Sequence, residues 1–477
     1  MDARTERTAV PLAVDLDGTL IATDLLWESL FLLLRQRPLC LFLLPFWLLG
    51  GKARLKCEIA ERVEIDAGGL PYRQNLLNQL AEDRAAGRHI VLATAAPRKF
   101  AEAIARHLGV FDAVISSEPG RNMASRVKRD ALIEAFGDGG FDYAGNSRAD
   151  IAVFDAARTA LVVAPDGAAA RWHARNGGEL IEGDKPSPRT YVKMLRAHQW
   201  LKNALIFVPM ILSHEYFNSD MFIPAVLAFI SFSAAASAIY ILNDFFDLSL
   251  DRRHPTKRNR PFASGVLSIP FGFVAMIGLL AISVGIAFLL PPLYGMVLAA
   301  YLVATTAYSL AIKRMLLLDV LMLAGLYTVR ILAGSAATGS GVSFWLLAFS
   351  VFFFLSLALV KRYVELRGTS LQAGERIAGR GYRIEDQEVI SQAGMASAFS
   401  SAMVLALYIQ SSAVRELYSM PWLIWPLCPI VLYITIRIWV LARRDEMHDD
   451  PIVFIISDWR SQLVGAFGAF LLFYAGT

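Results

Sequence analysis

Cysteine and charge are both scarce in this chain of 477 residues. The three cysteines, Cys40, Cys57 and Cys428, are isolated, so the sequence predicts neither a disulfide framework nor a cysteine-based metal site. Charged residues make up 18% of the chain, the net charge is only +4, and no basic face is interleaved with aromatic residues. We therefore expect no nucleic-acid partner. The stretch MDARTERTAV at the start lacks the apolar core of a signal peptide, so we expect the N-terminal domain to stay in the cytoplasm.

Hydrophobic residues, by contrast, make up 56% of the chain and are concentrated after Trp200. Residues 1–195 have the mixed charge of a soluble domain, whereas the remainder consists of long apolar runs separated by short polar loops. We place a linker at residues 181–192, which begins with the proline-containing stretch IEGDKPSPR. The sequence thus predicts a soluble domain over residues 1–180 and a polytopic membrane domain over residues 193–477.

Two acidic residues follow the first apolar run of the N-terminal half. Residues 11–20 read PLAVDLDGTL, in which a buried strand is predicted to end just before Asp15 and Asp17. Further strands are predicted at His89–Thr94 and Ala113–Ser117, and helical stretches lie between the strands. This alternation indicates a doubly wound α/β domain with both carboxylates at the carboxyl edge of its sheet, where such folds bind ligands. One carboxylate could attack a phosphate while its neighbour handles the proton, with a metal ion to mask the charge.

Four motifs of this half, in their order along the chain, resemble those of the haloacid dehalogenase (HAD) phosphatases. They are the segment DLDGT that begins at Asp15, Thr94 after a strand, Lys128, and the segment GNSRAD that ends at Asp150. The resemblance covers about residues 8–180. It implies that Asp15 forms an aspartyl-phosphate and that Asp17 is the general acid/base. Thr94 and Lys128 would hold the phosphoryl group that is transferred.

The same resemblance implies one Mg²⁺ ion in the N-terminal domain, held by Asp15, Asp17, Asn146 and Asp150. Asn146 stands where many members of the family carry a second metal-binding aspartate, which removes one negative charge from the site. An active phosphatase is one interpretation of this domain. A phosphatase fold retained as a scaffold or sensor is the alternative.

An unusually apolar insert, residues 25–51, lies between the first two motifs. Its apolar parts are about 10 and 12 residues long, interrupted by Arg35, Arg37 and Pro38, and each is too short to cross a bilayer. One interpretation is an interfacial or re-entrant helical hairpin that holds the mouth of the phosphatase against the membrane. The other is a cap helix buried against the protein. The sequence leaves both open.

The most polar stretch of the membrane half follows its second apolar run. About 20 uncharged residues, from Phe222 to Leu242, precede a row of four oxygen-bearing side chains: Asn243, Asp244, Asp247 and Asp251. Their spacing places them on one face of a continuing helix, where crowded carboxylates need a cation. Oxygen ligands favour Mg²⁺, which commonly brings a substrate's phosphates with it. We expect His254 and Pro255 to end the helix before a basic cluster: Lys257, Arg258 and Arg260. An ordinary polar loop is the alternative.

We predict about nine spans in this half, at 200–214, 221–243, 268–290, 293–312, 316–337, 343–361, 394–412, 421–442 and 461–476. The loops 251–262, 313–315, 361–392 and 443–460 carry nearly all the lysine and arginine residues, whereas the alternate loops carry one, Arg415. Because basic loops face the cytoplasm, we expect the aspartate-rich stretch there, on the same side as the N-terminal domain. The C-terminus is then predicted outside, in a multi-pass protein of the inner or plasma membrane.

Further polar residues lie at the cytoplasmic ends of these spans: Lys202, Asn203, Tyr308, Lys313, Asp319, Arg330, Lys361, Arg362 and Arg367. Asp319 and Arg330 stand in an otherwise apolar segment, where ionisable groups are costly and are usually functional or paired. They are about three helical turns apart, so both can face one cavity. Alternatively, Asp319 pairs with Lys313 at the membrane interface.

The pattern NDxxDxxxDRxHPxKRxRP at a helix end resembles the UbiA superfamily of membrane prenyltransferases, over about residues 190–477. The second aspartate-rich motif of that superfamily, DxxxD, is incomplete, because Leu323 stands four residues after Asp319. The segments RAHQWLKN, HPTKRNRP, YSLAIK and LVKRYVEL are closer to the decaprenyl-phosphate phosphoribosyltransferase branch. That branch implies a phosphoribosyl diphosphate donor and a polyprenyl phosphate acceptor.

On this resemblance, Asp244 and Asp247 would be catalytic, and one or more Mg²⁺ ions would be held by Asn243, Asp244, Asp247 and Asp251. The substrate-binding residues would be Lys202, Asn243, Lys257, Arg258, Arg260, Tyr308, Lys313, Asp319, Arg330, Lys361 and Arg362. The lipid product would keep a 5-phosphate, which the HAD-like domain would remove. The alternative is transfer of a polyprenyl chain from its diphosphate to an aromatic or other small acceptor. The HAD-like domain would then be a separate phosphatase or a regulatory module.

Overall fold

The computed structural model describes residues 10–118, 120–215, 218–368, 381–411, 414, 417–447 and 450–476. The N-terminal stretch 1–9 and Arg415, both used in the sequence predictions, lie outside the described residues. The chain divides into two compact units. The first unit comprises residues 1–195 together with residues 241–275, and the second comprises residues 196–240 and 276–477. The aspartate-rich stretch thus belongs to the unit that contains the N-terminal domain.

The first unit contains a six-stranded sheet in which every neighbouring pair of strands is parallel. Its strands are β1 (Leu12–Val14), β2 (Ile90–Pro97), β3 (Ala113–Ser117), β4 (Asp142–Gly145), β5 (Ala160–Val163) and β6 (Glu179–Ile181). Their order in the sheet is β3-β2-β1-β4-β5-β6, so β1 is central. Leu12 and Val14 contribute to the core on one face of the sheet, whereas Ala13 contributes to the core on the other. Both faces are therefore covered, which explains the short, wholly apolar central strand. The doubly wound α/β prediction is confirmed.

The helices of the N-terminal domain are α1 (Leu25–Gln36), α2 (Leu44–Leu49), α3 (Lys52–Arg62), α4 (Gln74–Ala85), α5 (Arg98–Leu108), α6 (Arg126–Phe136), α7 (Ile151–Phe154), α8 (Gly167–Asn176) and α9 (Pro188–Leu195). Short 3₁₀ turns lie at Pro38–Phe42, Ala67–Gly69 and Arg148–Asp150. Helix α5 ends at Gly109, whose φ of 65° is the left-handed conformation that glycine adopts without a steric penalty. Helices therefore lie between the strands, as the sequence predicted.

The insert at residues 25–51 has a buried first part and an exposed second part. Helix α1 buries Leu25, Phe31 and Leu33, as a cap helix would. The 3₁₀ turn and α2 instead leave most of their large apolar side chains exposed, including Phe42 at 71% and Phe46 at 67%. The first part of the insert is therefore a packed element, and the second part is an apolar surface.

Seven helices among the described residues are long and apolar enough to cross a membrane: Ser219–Phe246, Ile269–Ala287, Pro292–Leu310, Leu318–Thr338, Phe344–Arg367, Ile384–Ile409 and Pro421–Arg443. The prediction of about nine spans is therefore corrected. The predicted span 200–214 is a 3₁₀ segment, Ala197–Phe207, followed by a five-residue helix, Val208–Leu212. The predicted span 461–476 lies in the 18-residue helix Trp459–Gly476, whose first turn is polar. The remaining helices are Leu248–Arg253 in the first unit and Pro451–Ser457 in the second.

Candidate active sites

Three predicted phosphatase residues meet at the carboxyl edge of the sheet. Asp15 follows β1, Thr94 lies within β2, and Lys128 extends from α6. All three are buried, and the Nζ of Lys128 lies 2.7 Å from Oδ1 of Asp15. The hydroxyl of Thr94 accepts a hydrogen bond from the backbone N–H of Ala96 at 3.0 Å. The hydroxyl proton can therefore be donated to an oxyanion at this edge.

Asp150 holds Lys128 by a further hydrogen bond. Its Oδ1 accepts hydrogen bonds from Lys128 at 3.3 Å and from the hydroxyl of Tyr143 at 2.6 Å. Its Oδ2 accepts from the N–H of Asn146 and from the N–H and hydroxyl of Ser147. Burial opposes the charge of Asp150, but Lys128 and these hydrogen bonds outweigh burial and lower its pKa. Because the carboxylate of Asp150 already accepts five hydrogen bonds, it fits the role of holding Lys128 better than that of a direct Mg²⁺ ligand.

Tyr143 was missed by sequence reasoning. It is fully buried in β4 and also receives a hydrogen bond from Lys128 at 2.8 Å. A signal was available. Tyr143 is two residues before Gly145, where the GNSRAD segment begins, and residues two apart in a strand point to the same face. A tyrosine buried next to charged groups needs polar partners.

Asp17 lies where the chain enters α1. Its Oδ1 accepts the backbone N–H of Leu25 at 2.9 Å, at the first turn of that helix. Burial, together with repulsion from Asp24 and Asp15, raises the pKa of Asp17 to about 8. Burial also raises the pKa of Asp15, to about 6, although Lys128 opposes the rise. A protonated Asp17 beside an ionised nucleophile is the arrangement that acid catalysis of a leaving group requires.

Asn146 and Gly18 fit a cation. The Oδ1 of Asn146 is buried and has no hydrogen-bond partner among the described residues. Gly18 makes room for this amide, because a Cβ at Gly18 would lie 2.2 Å from the Nδ2 of Asn146. The oxygen atoms of Asn146 and of the nearby Asp15 are the donor type that Mg²⁺ prefers. We therefore find the residues compatible with the predicted magnesium ion.

A cavity of about 740 Å³ within the first unit is lined by the acidic residues and their neighbours: Asp15, Asp17, Gly18, Lys128, Asn146 and Asp150. One wall comes from the cap region, where Lys56 of α3 donates a hydrogen bond to the carbonyl of Ala95 at 2.7 Å. Another wall is formed by residues 264–271, which comprise the end of the loop after the aspartate-rich stretch and the start of the span Ile269–Ala287. At Gly265, whose φ is 77°, a Cβ would lie 2.4 Å from the carbonyl oxygen of Ala22. The loop after the aspartate-rich stretch thus packs directly on Ala22, three residues after the first phosphatase motif.

The aspartate-rich stretch begins inside a helix and continues beyond a break. Helix Ser219–Phe246 contains Asn243 and Asp244, and Asp247 is the residue that precedes the short helix Leu248–Arg253. The backbone N–H of Asp247 still bonds to the carbonyl of Asn243 at 2.9 Å, and that of Asp251 to Asp247 at 2.8 Å. The short helix ends at Arg253, with His254 as its C-cap, as predicted.

Arg260 joins two of the aspartates. Its Nη1 lies 3.2 Å from Asp244 and 2.6 Å from Asp251. Burial raises the pKa of Asp251, although Arg260 opposes the rise. Lys257 and Arg258 are exposed. Within the described ranges, no three carboxylate, imidazole or thiolate groups are close enough to hold a metal by themselves. A magnesium ion here would therefore draw part of its coordination from substrate phosphates, as Mg²⁺ commonly does.

In the second unit, two predicted lysines share a carboxylate. Lys202 and Lys361 lie 2.6 Å and 3.2 Å from Oδ2 of Asp450. Asp450 was missed. It stands in the acidic stretch DEMHDD of the predicted loop 443–460, and nothing in the sequence indicates which residues it pairs with. Tyr308 and Lys313, at the end of helix Pro292–Leu310 and in the following turn, are half-buried.

Arg330 lies in an aromatic setting in the same unit. Its guanidinium is within 5.4–5.5 Å of the ring centroids of Phe232, Tyr301 and Tyr327. Its Nε donates to the side-chain oxygen of Asn203 at 2.9 Å, so Arg330 is a buried cation with several π faces around it.

Asp319 does not pair with Lys313 but with Arg362 and Tyr382. The side chains of Asp319 and Arg362 are both 0% exposed, and the hydroxyl of Tyr382 donates to Oδ1 of Asp319 at 2.5 Å. The alternative pairing with Lys313 is therefore wrong. Asp319 is held by partners inside the protein, whereas the buried Nε of Arg362 has no hydrogen-bond partner among the described residues. The substrate contacts predicted for Asp319 and Arg362 stay predictions.

Comparisons with known proteins cover both parts of the chain. Residues 204–458 match the UbiA prenyltransferase family, and residues 12–155 match the haloacid dehalogenase-like hydrolases. The Sinorhizobium fredii protein named "Uncharacterized protein y4nM" is 39% identical over 465 residues, which cover 96% of this chain and 89% of that protein. The decaprenyl-phosphate phosphoribosyltransferase of Corynebacterium glutamicum is 35% identical over 179 residues, which cover 37% of this chain and 54% of that protein. The solved structure of a UbiA homolog from Archaeoglobus fulgidus bound to DMAPP and Mg²⁺ has 15% identity and a TM-score of 0.47, and covers 60% of this chain and 97% of that chain.

Proposed function

The chain belongs to the UbiA prenyltransferase family and carries an N-terminal HAD-like domain, and from this premise we propose that it is a bifunctional membrane enzyme. The UbiA-like part would transfer 5-phosphoribose from phosphoribosyl diphosphate to a polyprenyl phosphate. The HAD-like domain would then remove the 5-phosphate from the lipid-linked product. The similarity to decaprenyl-phosphate phosphoribosyltransferases supports this choice of donor and acceptor.

One observation carries the pairing of the two activities. Residues 264–271, which follow the aspartate-rich stretch, line the cavity that also contains Asp15 and Asp17. A lipid-linked sugar stays in the bilayer, so a phosphatase that acts on it must reach the membrane, and one in the same chain as the transferase is held there. The packing of Gly265 against Ala22 meets that requirement within one compact unit.

For the transfer step, we propose that Asn243, Asp244 and Asp247 hold Mg²⁺. When bound, the ion would neutralise the diphosphate as it leaves. An oxygen of the lipid phosphate forms a bond to the anomeric carbon of the ribose, and the bond from that carbon to the diphosphate breaks. No side-chain base is needed, because the attacking phosphate is already ionised. The chain therefore contributes positioning and charge stabilisation, with Arg260 as a nearby counter-charge.

Lys257 and Arg258 would bind the 5-phosphate or the diphosphate, since both side chains are exposed after the short helix. The residues of the second unit that the sequence predicted as substrate ligands stay predictions: Lys202, Tyr308, Lys313, Arg330 and Lys361.

For the phosphatase step, the carboxylate of Asp15 forms a bond to the phosphorus, and the bond from phosphorus to the ribose 5-oxygen breaks. Asp17 donates its proton to that departing oxygen, while Thr94 and Lys128 hold the phosphoryl oxygens. Water then attacks the aspartyl-phosphate, Asp17 takes up a proton from it, and inorganic phosphate leaves with Asp15 regenerated. Asp15 and Asn146 would hold a Mg²⁺ ion that neutralises the phosphoryl oxygens.

We also propose that the exposed part of the insert, residues 38–49, contacts the lipid surface. Its apolar side chains are exposed in a chain that has seven candidate membrane spans among the described residues. Lys52 and Arg54, both exposed, follow this surface, as is common for segments that lie at an anionic membrane. We propose that the basic loops and the N-terminal domain face the cytoplasm. Together with a C-terminus outside, as the sequence predicted, this orientation requires residues 197–212 and the helix Trp459–Gly476 to cross the membrane, and neither is among the seven candidate spans of the described residues.

A donor competition experiment tests the proposed transfer. Purified full-length protein in lipid nanodiscs receives labelled phosphoribosyl diphosphate and a polyprenyl phosphate, with or without unlabelled prenyl diphosphates. We expect a labelled lipid, little competition, and about a hundredfold slower transfer by Asp244→Asn, because a preorganised charge partner is lost. Transfer from a prenyl diphosphate to an aromatic acceptor, with none from phosphoribosyl diphosphate, would replace the proposal with the prenyltransferase alternative.

A further inference from the structure

Helix α1 begins at the phosphatase site. Asp24 caps the helix by accepting hydrogen bonds from the N–H groups of Leu26 and Trp27, at 2.8 Å and 3.4 Å. The N–H of Leu25, the first residue of the helix, donates a hydrogen bond to Oδ1 of Asp17 at 2.9 Å. The proposed general acid is therefore attached to the first turn of this helix.

The other end of the helix reaches the aspartate-rich stretch. Arg35, in the last turn, donates a hydrogen bond to the backbone carbonyl of Phe246 at 2.9 Å. The same Nη1 atom lies 3.8 Å from Oδ1 of Asp247. Phe246 is the last residue of the long helix, where carbonyl groups lack partners within the helix, so Arg35 satisfies a group exposed by the break at Asp247. The side chains of Arg35 and Asp247 are largely buried, with 15% and 24% exposure, so water screens this ion pair only partly.

A second contact lies one turn beyond the break. Glu28, in the first turn of α1, accepts two hydrogen bonds from the guanidinium of Arg252, at 2.9 Å and 2.5 Å. Two parallel hydrogen bonds of this kind fix orientation as well as distance. Between the two ion pairs, the rings of Phe31 and Phe245 pack with their centroids 4.7 Å apart. One face of α1 thus grips the segment before and after Asp247.

We propose that Arg35 and Glu28 are positioning residues of the transferase, so that a helix of the HAD-like domain sets the geometry of the aspartate-rich stretch. The stretch carries three aspartates within eight residues, which repel one another and favour a different backbone path without external support. Arg35 neutralises Asp247 and fixes the end of the long helix, and Glu28 fixes the short helix through Arg252. This inference rests on the proposed function only in taking Asp247 as a group that holds the magnesium diphosphate.

The role predicts a specific kinetic effect. Arg35→Ala should raise the Mg²⁺ concentration needed for half-maximal transfer and the KM for the diphosphate donor, each by about tenfold, because Asp247 is no longer held in place. Arg35→Lys should recover part of the loss, since lysine keeps one donor for the Phe246 carbonyl but not the planar guanidinium. Arg37→Ala is the matched control, because it removes the same charge two residues away from an exposed position.

The experiment compares these full-length variants in nanodiscs, using whichever diphosphate donor the unmodified protein turns over. A failure with phosphoribosyl diphosphate alone would then count against the proposed function and not against Arg35. Hydrogen exchange of peptides from residues 241–253 gives a second readout that needs no turnover. We expect about tenfold faster exchange in Arg35→Ala and in Glu28→Gln, and no change in Arg37→Ala. Hydrolysis of a small aryl phosphate reports whether the HAD-like domain is folded.

A charge exchange completes the test. Glu28→Arg and Arg252→Glu should each weaken transfer, and the double variant should recover at least part of it, because the pair is rebuilt in reverse. Equal exchange rates and equal Mg²⁺ requirements in the Arg35→Ala and Arg37→Ala proteins would overturn the inference. So would a Glu28→Arg, Arg252→Glu double variant that is no better than the worse single variant.

Discussion

At the scale of single residues, the two centres neutralise their carboxylates differently. In the phosphatase site, Lys128 lies between Asp15 and Asp150, and in the aspartate-rich stretch Arg260 lies between Asp244 and Asp251. Lys128 is fixed by Tyr143 and has one geometry, whereas Arg260 follows a break in the helix and is 28% exposed.

Asn146→Asp tests the metal site of the HAD-like domain. The change replaces a buried amide oxygen that has no hydrogen-bond partner by a carboxylate, so we expect a lower Mg²⁺ requirement, by about tenfold, for hydrolysis of an aryl phosphate. A titration of turnover against Mg²⁺ measures the change. Asn122→Asp, in the same cavity, is the control. An equal effect of both substitutions would mean that general negative charge, and not a ligand at position 146, sets the requirement.

Asp319→Asn tests whether the buried ion pair of Asp319 and Arg362 stabilises the protein. The change leaves the buried Arg362 without its main partner, which costs about 3–5 kcal/mol in comparable proteins. We expect a marked fall in the melting temperature of the purified protein, while the KM for the diphosphate donor stays within about twofold. A normal melting temperature with a strongly raised KM would instead support Asp319 as a substrate ligand.

The sequence predicted the residues that belong to motifs and missed those that act only through folding. Asp15, Thr94, Lys128 and Asp150 were identifiable because their chemistry and spacing recur in a family, which the HAD-like match confirms at the level of the domain. Tyr143 was overlooked although its partner Asp150 is only seven residues away. Asp450 was not identifiable, because its partners Lys202 and Lys361 are 248 and 89 residues away in the chain. The same reason explains why the partner of Asp319 was misassigned: Arg362 is 43 residues away, whereas Lys313 is near in sequence.

At the scale of elements, the loop after the aspartate-rich stretch makes a sharp prediction. Gly265→Ala adds a methyl group 2.4 Å from the Ala22 carbonyl at a φ of 77°, so we expect a loss of stability on the order of 2–4 kcal/mol and slower aryl phosphate hydrolysis. Thermal melting and turnover are the measurements. Gly109→Ala, also at positive φ but with open space around it, should cost only about 1 kcal/mol. Equal effects at both positions would contradict the contact between the loop and Ala22.

Elements were predictable where periodicity was strong and unpredictable where it was broken. The strands and the long apolar helices followed from their patterns, and seven of the expected spans are present among the described residues. The span expected at 200–214 is instead a 3₁₀ segment that buries Lys202 and Asn203, because these polar side chains find partners inside the protein. The insert could not be resolved from sequence, since equal hydrophobicity leads to burial in α1 and to exposure in α2.

At the scale of the whole molecule, the exposed apolar surface of residues 38–49 predicts contact with lipid. A fluorophore attached at Phe46→Cys, in full-length protein whose three native cysteines are replaced, should be quenched by spin-labelled lipids in nanodiscs. The same label at Glu64→Cys, an exposed site outside the insert, should respond mainly to a water-soluble quencher. Equal quenching by lipid at both sites would argue against an interfacial insert.

The central claim, that one chain makes and then dephosphorylates a lipid-linked sugar, is tested most directly by the product of Asp15→Asn. Full-length protein receives phosphoribosyl diphosphate labelled in the ribose, together with a polyprenyl phosphate, and the lipid products are separated by charge. The account predicts lipid-linked ribose from the unmodified protein and lipid-linked ribose 5-phosphate from Asp15→Asn, at similar rates of label transfer. The same dephosphorylated lipid from both proteins, or no labelled lipid from either, would contradict it.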